Sequence, residues 1–181
     1  MKYISILRGI NVSGQKKVKM ADLKILYEEQ GFENVNTYIQ SGNVIFESKT
    51  KLTIEALKKI IEKAIETKYA FQVPVDIRTN QELKQIIKNC SYEEVKKEEN
   101  GTKVLVTFLQ STPFNQKQES LLGYVKSPEK LIIQGREIYL YCPNGYGKSK
   151  LTNVFIEKKL GISATTRNWK SVKKLYELSM D

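Results

Sequence analysis

From Lys2 to Arg78 the hydrophobic pattern changes period in the order β-α-β-β-α-β, and from Thr102 most of that order returns. Short connections and the fixed hand of crossovers leave few ways to arrange such a series. Lys2–Arg8 reads as a strand, with Ile4 and Ile6 on one face and Tyr3, Ser5 and Leu7 on the other. Ala21–Gln30 carries Leu23, Leu26 and Tyr27 on one helical stripe, and Gly31 stands at its C-terminal end. Val35–Gln40 and Asn43–Glu47 are β-rich runs around Ser41-Gly42 and form a hairpin. Thr53–Lys68 keeps the helical period through Ile54, Leu57, Ile61 and Ile65. Gln72–Arg78 alternates again, and Pro74 within it favours the edge of a sheet.

This order is that of the ferredoxin-like split βαβ unit. Thr79-Asn-Gln-Glu82 has the form of a capping box opening a short helix through Leu83, Ile86 and Ile87, and Ser91-Tyr-Glu-Glu94 has the same form. The second series runs through a strand at Thr102–Leu109 and a helix after Pro113 reaching about Tyr124. A hairpin of Lys130–Ile133 and Arg136–Cys142 around Gly135 follows, then a helix over Ser149–Leu160 stopped by Gly161. A final helix, Asn168–Leu178, stands where a fourth strand would come. The expected fold class is therefore α+β: two ferredoxin-like (βαββαβ-type) halves with antiparallel sheets, the second ending in a helix. The expected boundaries are 1–78 and 102–181, with 79–101 as a helical connector. The trace of a repeat is thin, Ile39-Gln40-Ser41-Gly42 against Ile133-Gln134-Gly135, so the duplication rests on element order.

A chain of 181 residues can bury about 70% of its unfolded surface without staples. No apolar run approaches the length of a membrane span, and Met1 leads into a strand rather than a secretory leader, so a cytoplasmic location is expected. Histidine is absent, which removes Ser-His-Asp and Cys-His catalysis and every histidine metal site. Cys90 and Cys142 alone make no zinc cluster, and neither metal nor cofactor is implied. The net charge is +10, but 26 of the 30 basic residues are lysine. Each half of the chain carries 15 basic and 10 acidic groups, so no basic tail or arginine-rich segment exists. Arginine suits bidentate phosphate and base-edge contacts, whereas lysine solvates surfaces.

Three loops carry candidate anion-binding residues. Gly9–Lys19 is nearly twice the usual length of a helix-entering loop and holds two glycines, Asn11 and three lysines, with Arg8 before it. In a βαββ unit the first and second strands run parallel, so this loop and the turn after the second strand share one end of the sheet. Arg8, Gly9, Asn11, Gly14, Gln40, Ser41 and Asn43 are therefore expected around one polar rim. Gly145-Tyr-Gly147-Lys148-Ser149 resembles the tail of a P-loop, but Cys142 replaces the first glycine that motif needs. What remains is an anion site formed by Lys148 and Ser149 at a helix start. Thr165-Thr166-Arg167-Asn168-Trp169 puts hydroxyls, an arginine and the sole tryptophan before the last helix, where Arg167 would hold a phosphate and Trp169 would either stack on a ring or fill the core. Either this segment or the Lys148 loop is expected to close the first rim.

These segments together resemble the bacterial family Domain of Unknown Function 1697. The resemblance is carried by Leu7-Arg8-Gly9-Ile10-Asn11-Val12, Met20 with Leu23, Gly31-Phe32-Glu33-Asn34-Val35, and Thr37-Tyr38-Ile39-Gln40-Ser41-Gly42-Asn43-Val44. Gly147-Lys148-Ser149-Lys150-Leu151 and Ala164-Thr165-Thr166-Arg167-Asn168-Trp169 extend it along nearly the whole chain. The family's first loop commonly has a double glycine where this chain has Ser13-Gly14. The resemblance implies a pair of ferredoxin-like modules and brings no catalytic residue with it.

Three functions compete. The first is binding of a phosphorylated or anionic small molecule or nucleotide through the Gly/Arg/Lys loops, including Thr166, Arg167 and Asn168. The second is weak, nonspecific nucleic-acid binding, motivated by a pI near 9.4 but weakened because Tyr3, Phe46, Tyr139 and Tyr141 do not form the aromatic pair of an RNA-recognition sheet. The third is a histidine-independent enzyme using Lys148, Tyr38, Cys142 or a carboxylate as acid or base. The oligomeric state stays open.

Overall fold

A computed structural model describes residues 1–97, 99 and 101–180. The chain divides into two compact units, residues 1–84 with 175–181 and residues 85–174.

In the first unit, β1 (Lys2–Leu7) is followed by α1 (Met20–Glu29), β2 (Glu33–Tyr38), β3 (Asn43–Glu47), α2 (Ile54–Tyr69) and β4 (Val75–Thr79). The sheet order is β2-β3-β1-β4, with all pairs antiparallel. This is the ferredoxin-like arrangement, and it puts β4 on the edge, with Pro74 immediately before the strand rather than inside it. Thr53 caps α2 by accepting from the Ala56 N–H at 3.2 Å, and Ala70 closes it in the left-handed region. The buried stripe Leu57, Ile61 and Ile65 packs into one core with Tyr3, Leu7, Val44, Phe46, Val73, Val75 and Ile77. The other face of β1, Ile4 and Ile6, is equally excluded from solvent.

Thr79 and Glu82 form the expected capping box. The Glu82 carboxylate accepts from the Thr79 N–H at 2.8 Å, and Thr79 Oγ1 accepts from the Glu82 N–H at 3.2 Å. They open α3 (Asn80–Asn89). The second expected box does not form. Glu93–Lys96 is a single 3-10 turn whose N-cap, Tyr92, makes no side-chain capping bond. Glu94 instead pairs with Lys130 at 2.6 Å, which holds its carboxyl below the usual range.

The second unit repeats the plan. Its elements are β5 (Val104–Leu109), α4 (Asn115–Leu122), β6 (Lys130–Gln134), β7 (Glu137–Tyr141), α5 (Asn153–Leu160) and β8 (Ala164–Asn168), and α6 (Trp169–Met180) follows. The sheet order β6-β7-β5-β8 matches the first sheet strand for strand. The fourth strand missing from the sequence reading is thus present, just ahead of the last helix. Leu105, Leu109, Ile138, Leu140, Leu151, Ile156 and Leu160 form this unit's core.

The duplication extends to single hydrogen bonds. The Leu7 N–H donates to Gly42 O at 2.8 Å, and the Leu109 N–H donates to Arg136 O at 2.8 Å. A glutamate of the second helix in each half accepts from the first N–H of the edge strand, Glu62 from Val75 and Glu157 from Ala164, both at 2.9 Å. The buried Arg78 pairs across the ladder with Ile4, and the buried Arg167 with Val106. Arg78 is 1% exposed and donates from Nε to Asp76 Oδ2 at 2.6 Å. Register aligns Asp76 with Thr165, whose Oγ1 accepts from Arg167 at 3.1 Å.

Leu57→Ala should destabilise the protein by about 2–5 kcal/mol, since it opens a cavity at a fully buried position of the first core. Urea denaturation measures this, with the exposed Lys59→Ala changing stability little.

Candidate functional site

The loop after β1 and the turn after β2 do meet at one end of the first sheet. The Asn11 side chain joins them. Its Nδ2 donates to Val18 O and to Gln40 O, each at 2.8 Å, while its Oδ1 accepts from the Val18 N–H at 2.9 Å. The loop tip is a two-residue turn in which the Gln15 N–H donates to Val12 O at 2.9 Å. Ser13 and Gly14 both have positive φ, at 50° and 75°, the pattern of a type I′ turn. This explains why a double glycine suits the loop and shows that Ser13 occupies a strained position. Lys16 is anchored at the base, donating from Nζ to Gln72 O at 2.7 Å.

The β2–β3 turn is equally constrained. Asn43 is buried, and its Nδ2 donates to Tyr38 O at 3.0 Å and to Ser41 Oγ at 3.1 Å. Gly42 has φ 79°, and a Cβ there would lie 2.5 Å from Ile10 Cδ1 and 2.9 Å from Leu7 Cβ. The loop thus packs directly onto the turn where only glycine fits. Ile39, a β-branched residue, is exposed with φ 52°. Of the residues expected here, Arg8, Gly9, Asn11, Gly14, Gln40, Ser41 and Asn43 all lie in this loop and turn. The amides of Asn11 and Asn43 serve to build the rim.

The other two loops differ from expectation. α5 begins at Asn153, capped by Thr152, which accepts from the Phe155 N–H at 3.3 Å. Lys148 and Ser149 therefore do not open that helix. Lys148 ends a 3-10 turn over Tyr146–Lys148, and the buried Ser149 accepts from the Leu151 N–H at 3.0 Å. Leu151 is fully buried, and the chain must deliver it to the core before it can coil.

Thr166 and Arg167 sit inside β8, not at a helix start. Thr166 Oγ1 lies 2.7 Å from Thr107 Oγ1 and donates to Asn153 Oδ1 at 2.5 Å. Arg167 is buried, and Nη1 donates to Thr166 O at 2.9 Å and to Thr165 Oγ1 at 3.1 Å. Desolvation pulls its guanidinium down to about 10. A guanidinium so placed supports the strand and does not present a phosphate fork to solvent. Asn168 is the cap of α6, its Oδ1 accepting from the Ser171 N–H at 2.8 Å. Trp169 is 3% exposed and belongs to the interior, so it offers no stacking face.

A concave site does form around Lys148, from residues composition alone did not single out. Tyr124, Lys126, Ser127, Pro128, Glu129, Asn144, Lys148 and Lys150 line an open groove of about 460 Å³ in the second unit. Its wall is built by turns. The Glu129 N–H donates to Lys126 O at 2.9 Å, and the Gly145 N–H donates to Cys142 O at 2.9 Å. These turns carry Lys126 and Asn144, residues 18 apart in the chain, to the same groove. Cys142, at the start of the second turn, is buried, and burial pushes its thiol up to about 11. A thiol held protonated in this way is a poor nucleophile or base. Among the described residues no group of histidine, cysteine or carboxylate side chains is arranged to hold a metal. No described helix is long and apolar enough to cross a membrane. Of the four strand aromatics, Tyr3, Phe46 and Tyr139 are buried and present no face to bases, whereas Tyr141 is half-buried, with Lys130 Nζ 5.4 Å from its ring centroid.

Fold and register define a duplicated ferredoxin-like α+β protein with loops concentrated at the ends of its sheets. The chain belongs to the family described as protein of unknown function (DUF1697), whose model matches residues 1–139. The Lys148 and Arg167 segments lie beyond the matched residues. The fold is similar to that of the conserved bacterial protein SP0830 from Streptococcus pneumoniae, with a TM-score of 0.77 and 22% identity over 98% of both chains. No curated protein matches the sequence.

Gly42→Ala should cost about 3 kcal/mol, combining left-handed backbone strain with overpacking against Ile10. Thermal unfolding checks this, with Gly147→Ala as the control, since a Cβ there meets nothing within 4 Å. Equal stability of the two variants would show that the loop yields to the turn.

Proposed function

We propose that this protein binds a phosphorylated or otherwise anionic small molecule in the groove around Lys148. The observation that carries the reading is the convergence of Lys126, Lys148 and Lys150 on one concavity, with Glu129 as the only carboxylate among its lining residues. Each lysine alone is an ordinary solvated side chain. Three around one cleft focus a positive field that a bound anion relieves. Ser127 and Asn144 add neutral hydrogen-bonding groups at the same wall. The volume falls within the range of small-molecule sites. Lysine without arginine suits a compact phosphate or carboxylate approached as a point charge, not a fork-and-fork contact.

Calorimetric titration with inorganic pyrophosphate tests the reading. Binding should weaken about three- to tenfold in Lys148→Gln and again in the Lys126→Gln/Lys148→Gln double variant. It should also fall with added salt, as exposed charge interactions do. Arg8→Ala should bind as the wild type does. Unchanged binding in both lysine variants would defeat the proposal, and loss in Arg8→Ala would move the anion site to the first-half rim.

A further inference from the structure

The groove has a feature that an anion alone does not require. Tyr124 lines it beside Lys126, and Tyr124 is 40% exposed, whereas Tyr3, Phe46 and Tyr139 of the sheets are buried. The ring is held in place. Phe155 meets it edge-on at 5.1 Å between centroids, with 78° between the planes. Lys159 Nζ lies 4.1 Å from its centroid and donates to its hydroxyl. The backbone is held as well, by the Tyr124 N–H donating to Leu121 O at 3.0 Å and the Val125 N–H to Leu122 O at 3.1 Å. Val125 packs on the second core, while the residues on either side of it line the groove.

We infer that the ligand carries a planar ring as well as a phosphate: a nucleoside monophosphate, its base on Tyr124 and its phosphate among Lys126, Lys148 and Lys150. This rests on the anion reading above. A pinned, part-exposed aromatic loses little freedom when a base stacks on it. Pro128 adds apolar surface to the same wall, and Asn144, Ser127 and Glu129 offer donors and acceptors to a base edge or sugar hydroxyls. A free phosphate would leave most of a 460 Å³ groove unfilled. A long nucleic-acid strand would call for a basic track beyond the groove, and the charge excess of this chain is divided evenly between its halves.

The test compares AMP, ribose 5-phosphate, inorganic phosphate and a ten-nucleotide RNA by calorimetry on the full chain. AMP should bind about tenfold more tightly than ribose 5-phosphate or phosphate, the gain of one stacked base. Tyr124→Leu should erase that advantage and leave phosphate binding unchanged, and Tyr124→Phe should keep it. Circular dichroism establishes that the variants fold. AMP binding no tighter than phosphate, or equal weakening of both in Tyr124→Leu, would overturn the ring site while leaving the anion site intact. RNA binding more tightly than AMP would overturn the mononucleotide in favour of a strand. Absence of binding by every probe would overturn the anion reading itself.

Discussion

Each half is organised by a central strand buried on both faces. β1 and β5 lie between two antiparallel neighbours, and in both strands successive side chains are removed from water whichever way they point. A strand in that position cannot leave a polar group unsatisfied, because an unpaired buried donor or acceptor costs about 1–3 kcal/mol. The one polar side chain in the middle of each strand is accordingly paired. Ser5 Oγ sits 2.7 Å from the Tyr27 hydroxyl, and burial raises that phenol. Thr107 Oγ1 sits 2.7 Å from Thr166 Oγ1. Aligning the halves on the central strand places Ser5 and Thr107 at the same register position, each satisfied by a different element. Duplication has kept the requirement and changed the partner.

The same comparison explains what could be read from sequence. Elements whose signal is local were legible: the apolar stripe of α2, the hairpins, the Thr79–Glu82 box and the edge position of β4 beside Pro74. Signals decided by distant partners were not. Ser91–Glu94 has the spelling of a capping box, yet Glu94 is drawn to Lys130, 36 residues away. β8 reads Ala-Thr-Thr-Arg-Asn, with no apolar alternation to mark a strand, and only its ladder with β5 identifies it. The apparent repeat of Ile39-Gln40 and Ile133-Gln134 is out of register in the ladders, since Gln134 stands opposite Glu137 where Tyr38 stands opposite the equivalent Asn43, and Ile39 and Gln40 fall in the longer turn of the first hairpin. The residues that do correspond, Arg78 and Arg167, sit in strands too different in composition to align by eye.

The candidate site divides along a similar line. Topology alone predicted that the loop after β1 and the turn after β2 would share an end of the sheet, and the Asn11 amide joins them there. Topology did not say that the Asn11 amide would be used in the joining, or the Asn43 amide in closing the turn itself. A polar residue in a glycine-rich loop is ambiguous between binding a ligand and holding the loop, and only the hydrogen-bond geometry separates the two roles. Arg167 presents the same ambiguity in a strand. Its charge suggested a phosphate contact, whereas its burial and its bonds to Thr165 and Thr166 make it part of the β8 framework.

Charge count and charge placement therefore carry different information. Two of the four arginines, the side chains best suited to fork a phosphate, are buried at equivalent positions of the two sheets. The lysines stay outside, where their long stems cost little to solvate, and most of them need no partner to be stable. A lysine surface of this kind gives solubility wherever it is spread thinly. The function proposed above needs more than this, several ammonium groups folded around one hollow, and the turns at Lys126–Glu129 and Cys142–Gly145 bring them together beside a fixed aromatic ring. The groove is thus set by turn geometry more than by charge, which is why a net charge of +10 pointed to anions but not to where one would sit.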